Sequence, residues 1–226
     1  MLFPEVEKVT YKISPVDSVT CEIQLLSLPA LDIASIQQLV KEKYPKFSEL
    51  LDKKWKISID GKCLSLSTSD YQDWEDFRDK FQKLLKVLIE KYSLKNFTMI
   101  SLRHNNIFQL SKLGLKGVAW KNLINPAVLG VLASEDMVDN IENLENIVLI
   151  GLAGKNTTLK IDVKTIGNSE NGELCMMLNT DLSEIRERSL DEITTALNHL
   201  NAGLTRIFRW TIKNRLHTSM EPQKLQ

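Results

Sequence analysis

The stretch Trp55-Lys56-Ile57-Ser58-Ile59-Asp60-Gly61-Lys62-Cys63-Leu64-Ser65-Leu66-Ser67 alternates apolar and polar residues on both sides of an Asp-Gly pair. Alternation is the pattern of a strand with one buried face. An Asp-Gly pair between two such runs predicts a hairpin, because a type I′ turn needs positive φ at both central positions. Directly after it, Ser69-Asp70 opens a long helical pattern. Tyr71, Trp74, Phe77, Phe81, Leu84, Leu85, Leu88 and Tyr92 recur at spacings of three and four, one apolar stripe of a helix. Asp70, Asp73 and Glu75 sit at its positive end and Lys91 at its negative end. Residues 97–104 then read as another strand.

Upstream, residues 8–13 place Val9, Tyr11 and Ile13 on one face and are interrupted by Pro15. Residues 19–26 alternate through Val19, Cys21, Ile23 and Leu25. Asp32 reads as the cap of a helix carrying Ile33, Ile36, Leu39 and Val40, which ends before Tyr44-Pro45. From residue 19 to residue 104 the order is strand, helix, strand, strand, helix, strand. That is the split βαβ, ferredoxin-like order.

Downstream, residues 114–146 are less regular. Asn125-Pro126 predicts a cap followed by a short helix over 127–132. Ser134 with Glu135-Asp136 predicts another, through Ile141 and Leu144. Residues 147–153, 158–166 and 173–179 read as three strands. Ser189 and Glu192 form a capping box at the head of a second long helix, with Ile193, Ala196, Leu197, Leu200, Leu204, Ile207 and Phe208 on one stripe. The tail, 217–226, is polar, contains Pro222 and reads as loose. The expected fold is α+β: a mostly antiparallel sheet with two long amphipathic helices packed on it, in two lobes, 1–112 (ferredoxin-like in strand order) and 113–226. Each half has a hairpin followed by a long helix, so a diverged duplication is conceivable, although no residue-level repeat accompanies it.

The chain has 226 residues, with Lys plus Arg and Asp plus Glu both at 29 and a formal charge of zero. Hydrophobic residues at 43% and charged residues at 26% are ordinary globular values, which excludes a disordered or collagenous chain. A zero balance argues against whole-molecule steering onto nucleic acid or anionic lipid. Cys21, Cys63 and Cys175 lie far apart in apolar runs and read as small core residues in a reducing compartment. The N-terminus lacks a basic region followed by an apolar one. The most apolar run, 147–153, is far short of the ~20 residues of a membrane span. These features predict a cytoplasmic protein without a membrane span.

Chemistry-bearing motifs are sparse. His104, His199 and His217 have no partner at metal-ligand spacing, so no metal and no cofactor are expected. Neither a P-loop, a dinucleotide fingerprint nor a nucleophile elbow occurs. Gly151 and Gly154 follow an apolar strand, but the next segment alternates and does not open a helix, so the phosphate-binding logic fails. Two groups of candidate binding residues stand out. Arg103, His104 and Asn106 end a strand: Arg and Asn bind phosphate or carboxylate, and His can act as a general base. Equally, Arg103 can pair with a carboxylate across the sheet and Asn106 can cap a turn. Arg206, Arg209 and Lys213, with Trp210 among them, lie at the end of the last helix. Such interleaving grips a nucleic-acid backbone, and it also complements the helix dipole opposite Glu184, Glu187, Asp191 and Glu192. Lysines over 41–56 and acids over 135–145 read as solvated faces, the acidic one capable of docking a basic partner.

Several short motifs come in an order that resembles a known family. Pro4-Glu5-Val6-Glu7-Lys8-Val9, Tyr44-Pro45, Tyr71-x-x-Trp74-x-x-Phe77 and Ser101-Leu102-Arg103-His104-Asn105-Asn106 are similar to elements of a sporadically distributed, uncharacterised bacterial family. Its members show a Pro-x-Val-Glu start, a Tyr-x-x-Trp-x-x-Phe element and a Gly-Leu-Arg-Tyr-x-Asn-like strand. Ser101 stands here for the glycine and His104 for the tyrosine, while Leu102, Arg103 and Asn106 fit. The resemblance spans most of the chain and carries no activity. The patchy occurrence of that family implies a role in host–phage conflict by association. The expected function is a non-catalytic sensor or adaptor that binds another macromolecule, foremost a protein encoded nearby. Two alternatives stay open: an enzyme or binder of nucleic acid using Arg103 and His104, and a helix-grip binder of a lipid or small molecule.

Overall fold

A computed structural model describes residues 3–26, 33–51, 53–134, 136, 141, 143–152, 156–168 and 171–224. Strands are β1 (Val9–Tyr11), β2 (Val16–Leu25), β3 (Trp55–Asp60), β4 (Cys63–Thr68), β5 (Asn96–Phe108), β6 (Glu145–Leu152), β7 (Thr157–Gly167), β8 (Leu174–Ser189) and β9 (Pro222–Lys224). Helices are α1 (Ile33–Lys43), α2 (Pro45–Ser48), α3 (Trp74–Tyr92), α4 (Pro126–Leu129), α5 (Ile193–Thr211) and α6 (Asn214–Ser219). Seven strands form one sheet in the order β3-β4-β2-β5-β8-β7-β6, antiparallel at every pair. The fold class is the α+β arrangement that periodicity predicts. Within it, β3-β4-β2-β5 is the split βαβ order of a ferredoxin-like unit, and the β5–β8 pairing carries the same sheet into the second half of the chain.

Alternation decides which side of each strand is buried. Val19, Cys21, Ile23 and Leu25 of β2 are at most 1% exposed, while the residues between them are partly solvated. The two long helices lie against that buried side. Phe77 of α3 stacks between Trp55 and Trp74, with ring centroids 5.6 and 6.2 Å away. Trp74 Nε1 donates to Asn198 Oδ1 of α5 at 3.0 Å and ties the helices together. Helix α5 comes so close to β8 that a Cβ on Gly203 would stand 2.6 Å from Leu182 Cδ2. Only a hydrogen fits there, which is why a residue of poor helical propensity sits inside the helix.

Four local expectations need correction. The hairpin turn is not the type I′ Asp60-Gly61 pair. Asp60 pairs with Cys63, so Gly61-Lys62 are the central residues and only Gly61 has positive φ, at 57°. One glycine at the first position meets the type II′ requirement. Helix α3 starts at Trp74, not at Ser69-Asp70. The Asp73 side chain accepts from the Asp76 N–H at 2.7 Å as its cap, whereas the Asp70 N–H is taken by Thr68 Oγ1. Strand β8 runs on to Ser189, because the alternation continues through Thr180, Leu182 and Glu184. The tail is built in as far as residue 224: Leu216 and Met220 are fully buried, Tyr11 Oη lies 2.8 Å from His217 Nδ1, and β9 pairs with β1. Asn125 caps α4 as expected, accepting from the Ala127 N–H. The Asp32 cap and most of the helix expected after Ser134 lie outside the described residues.

Candidate functional site

Strand β5 passes through the middle of the sheet, and its side chains point alternately to two faces. Leu182 of β8 touches α5 and is opposite Leu102. Ile100, Leu102, His104, Asn106 and Phe108 therefore face the helices, and Met99, Ser101, Arg103 and Asn105 face the other way. Arg103 and His104 do not share a pocket.

On the uncovered face, Arg103 donates from Nε and Nη2 to Asp181 Oδ2 of the neighbouring strand, at 2.9 and 2.6 Å. Lys160 of β7 stands on the other side of Asp181. On the helix face, the His104 ring lies 5.8 Å from that of Tyr71, and its Nε2 is buried without a hydrogen-bond partner among the described residues. Burial pulls the imidazole down to about 4, so it is neutral near pH 7. A general base has to reach its substrate's proton, and this nitrogen is closed off from solvent. Asn106 is buried and donates to the Leu178 carbonyl at 3.4 Å.

Arg206 and Arg209 of α5 and Lys213 just after it each have an internal partner. Arg206 pairs with Glu5 at 2.9 Å. Arg209 donates to the Ile212 carbonyl and to Asn214 Oδ1. Lys213 Nζ donates to the Lys121 carbonyl at 2.6 Å. Trp210 packs edge-on against Phe3. Together they fasten the N-terminal segment, the 3₁₀ turn at Trp120–Asn122 and α6 to the end of α5. The expectation of a basic, aromatic grip thus meets a set of groups already engaged in holding the fold.

The uncovered face carries two features that spacing did not single out. One is apolar: Ile147 and Leu149 of β6 and Ile185 of β8 are 49%, 68% and 64% exposed. Strand β6 ends the sheet, so its outer edge has no partner strand among the described residues. The other is polar. Asn105, Asn179 and Asp162 are consecutive cross-strand partners on β5, β8 and β7. Directly opposed residues project to the same side of a sheet, here the side away from the helices. Each has its Oδ1 buried and unpartnered among the described residues. A hollow of about 400 Å³ has a lining that includes Asp17, Ile107, Lys112 and Cys175.

Among the described residues no group of three or more His, Cys, Asp or Glu side chains is placed to hold a metal ion, and no helix is long and apolar enough to cross a membrane. No family model, curated protein or solved structure matches this chain.

Proposed function

We propose that this chain is a non-catalytic sensor or adaptor that binds another protein along β6. The observation that carries the reading is the edge itself: eight residues of strand whose outer side has no partner strand among the described residues, with two large aliphatic residues, Ile147 and Leu149, turned to solvent on one face. Long exposed apolar edges invite strand pairing, and proteins that do not use them blunt them with charge, proline or a covering loop. An extended segment of the partner adds an eighth strand here, main-chain hydrogen bonds giving affinity and alternate side chains against Ile147 and Leu149 giving specificity. The engagement of Arg103, Arg206, Arg209 and Lys213 by internal partners favours this reading over a nucleic-acid grip. A place in antiphage defence rests on the family resemblance alone.

The test uses the full chain as bait in its native host, in parallel with Leu149→Lys. The expected result is one protein captured by the native chain, crosslinked through residues 145–152 and lost from the variant. Capture unaffected by Leu149→Lys, or binding of nucleic acid that falls steeply with salt, overturns the reading.

A further inference from the structure

We infer that a hollow at the β3 end of the uncovered face binds the phosphate groups of a small polyphosphorylated molecule, with inorganic tripolyphosphate the representative ligand. The hollow measures about 500 Å³; its lining includes Lys53, Lys54, Lys56, Thr20, Ser67 and Ser69, and no acid. That volume is within the range of small-molecule sites. The parts are neighbours by register. Lys56 of β3, Ser67 of β4 and Thr20 of β2 are opposed in turn, and opposed residues project to the same side of a sheet. Thr20 is also opposite Arg103, so that side is the one away from the helices. Just past the end of β4, the Ser69 N–H donates to the Lys54 carbonyl at 3.0 Å and extends the same ladder. The lysines thus stand at the edge of the sheet, with hydroxyls directly inside them.

The charge is concentrated here although the chain as a whole has none in excess. Lys54 pairs with Asp70 at 3.0 Å, whereas the Lys53 and Lys56 ammonium groups have no hydrogen bond or ion pair among the described residues. All three lysines are exposed. Exposed charges are screened and one such pair gains little, so an anion with a single charge is held weakly. A chain of phosphoryl groups meets all three ammonium groups at once, and lysine binds phosphate as a point charge. The hydroxyls of Thr20, Ser67 and Ser69 supply further donors to phosphate oxygens. Trp55 is the one ring in the lining and is 2% exposed, so a nucleobase has no face to stack on. The site therefore reads phosphates and not the group attached to them. As a run in the chain these lysines look like part of a solvated face; the β3–β4 pairing sets them beside hydroxyls.

The site is independent of the proposed docking edge, which lies on the last strand at the other end of the sheet, and its test needs no protein partner. The full chain at low ionic strength is titrated by calorimetry with sodium tripolyphosphate, with ATP free of metal, and with sodium sulfate. The expected result is one tripolyphosphate per chain, ATP bound within a few-fold of it, and sulfate bound at least tenfold more weakly. Lys53→Ala and Lys56→Ala are each expected to weaken tripolyphosphate several-fold, and the pair together at least tenfold. Thr20→Val, which keeps the β-branched shape and removes the hydroxyl, is expected to weaken it several-fold, while Lys160→Ala on the same face leaves it unchanged. No heat up to about 5 mM tripolyphosphate, an affinity too weak to matter, overturns the inference. So does a loss on Lys160→Ala as large as that on Lys56→Ala, which would mean a diffuse field in place of a site. A tenfold preference for ATP, or for single-stranded nucleic acid lost in the same lysine variants, overturns the assignment to phosphates of a small molecule. The lysines are exposed, so their variants are expected to fold, and far-ultraviolet circular dichroism checks that they do.

Discussion

Arg103 and His104 are adjacent in the chain and live under opposite conditions. His104 is turned toward the helices, with its Nε2 closed off from solvent, and is held neutral. Arg103 is half exposed and pairs with Asp181 of the neighbouring strand. The whole sheet repeats that division. On one face Val19, Leu64, Leu102, Leu182 and the ring of Trp55 pack under α3, which contributes Phe77, and α5. On the other, cross-strand polar pairs and a few aliphatic residues meet solvent. One face stores the stability and the other is free to carry recognition. A pair that looked like a reactive couple in sequence is split between them.

The division can be attacked from both sides. The largest effect is expected from Phe77→Ala, which removes a fully buried ring between two tryptophans. It should cost about 3–5 kcal/mol, read as a shift of the denaturant midpoint; a loss under about 1 kcal/mol would show the helix face to be loosely packed. Next comes acidification. A histidine near 4 in the folded chain and near its ordinary 6.5 when unfolded favours the folded state fully above pH 6.5. That contribution is lost as pH falls from 6.5 through 4, by on the order of 2–3 kcal/mol. His104→Gln should flatten that interval in a stability–pH profile, and an unchanged profile would place the imidazole in water. On the other face, Leu149→Lys should alter stability by less than about 0.5 kcal/mol while reducing partner capture at least tenfold. Arg103→Ala should cost about 1 kcal/mol or less, because the pair is at the surface. A larger loss would mean that Asp181 depends on Arg103 for its burial.

Elements were legible where one periodicity ran unbroken. The α3 stripe from Trp74 to Leu88 and the alternation of β2 identify their structures directly, and the strand–helix order of the first half carries its topology. The boundaries were harder. Thr68, Asp70 and Asp73 all offer caps, and only the competition for backbone N–H groups decides that the helix begins after Asp73. The tail was unreadable as a polar run because Met220 within it, and Leu216 just before it, matter only once β1 has arrived from the far end of the chain. Site residues suffered most. Asp181, Asn179 and Asp162 were not singled out, since their meaning comes from strands that are neighbours in space and distant in sequence. Histidine and cysteine spacing cannot reveal a row of amide and carboxylate oxygens taken from three strands.

The β1–β9 clasp has a bearing on biosynthesis. Val9 is seated against Lys224, so β1 is synthesised long before the strand it pairs with. β5 similarly waits for β8. Such distant pairings make the search slow, and in the interval the aliphatic edge at β6 is exposed on a half-finished sheet. Truncation ahead of residue 222 should remove the strand that β1 pairs with, while Tyr11 keeps its contacts with His217 and Phe208.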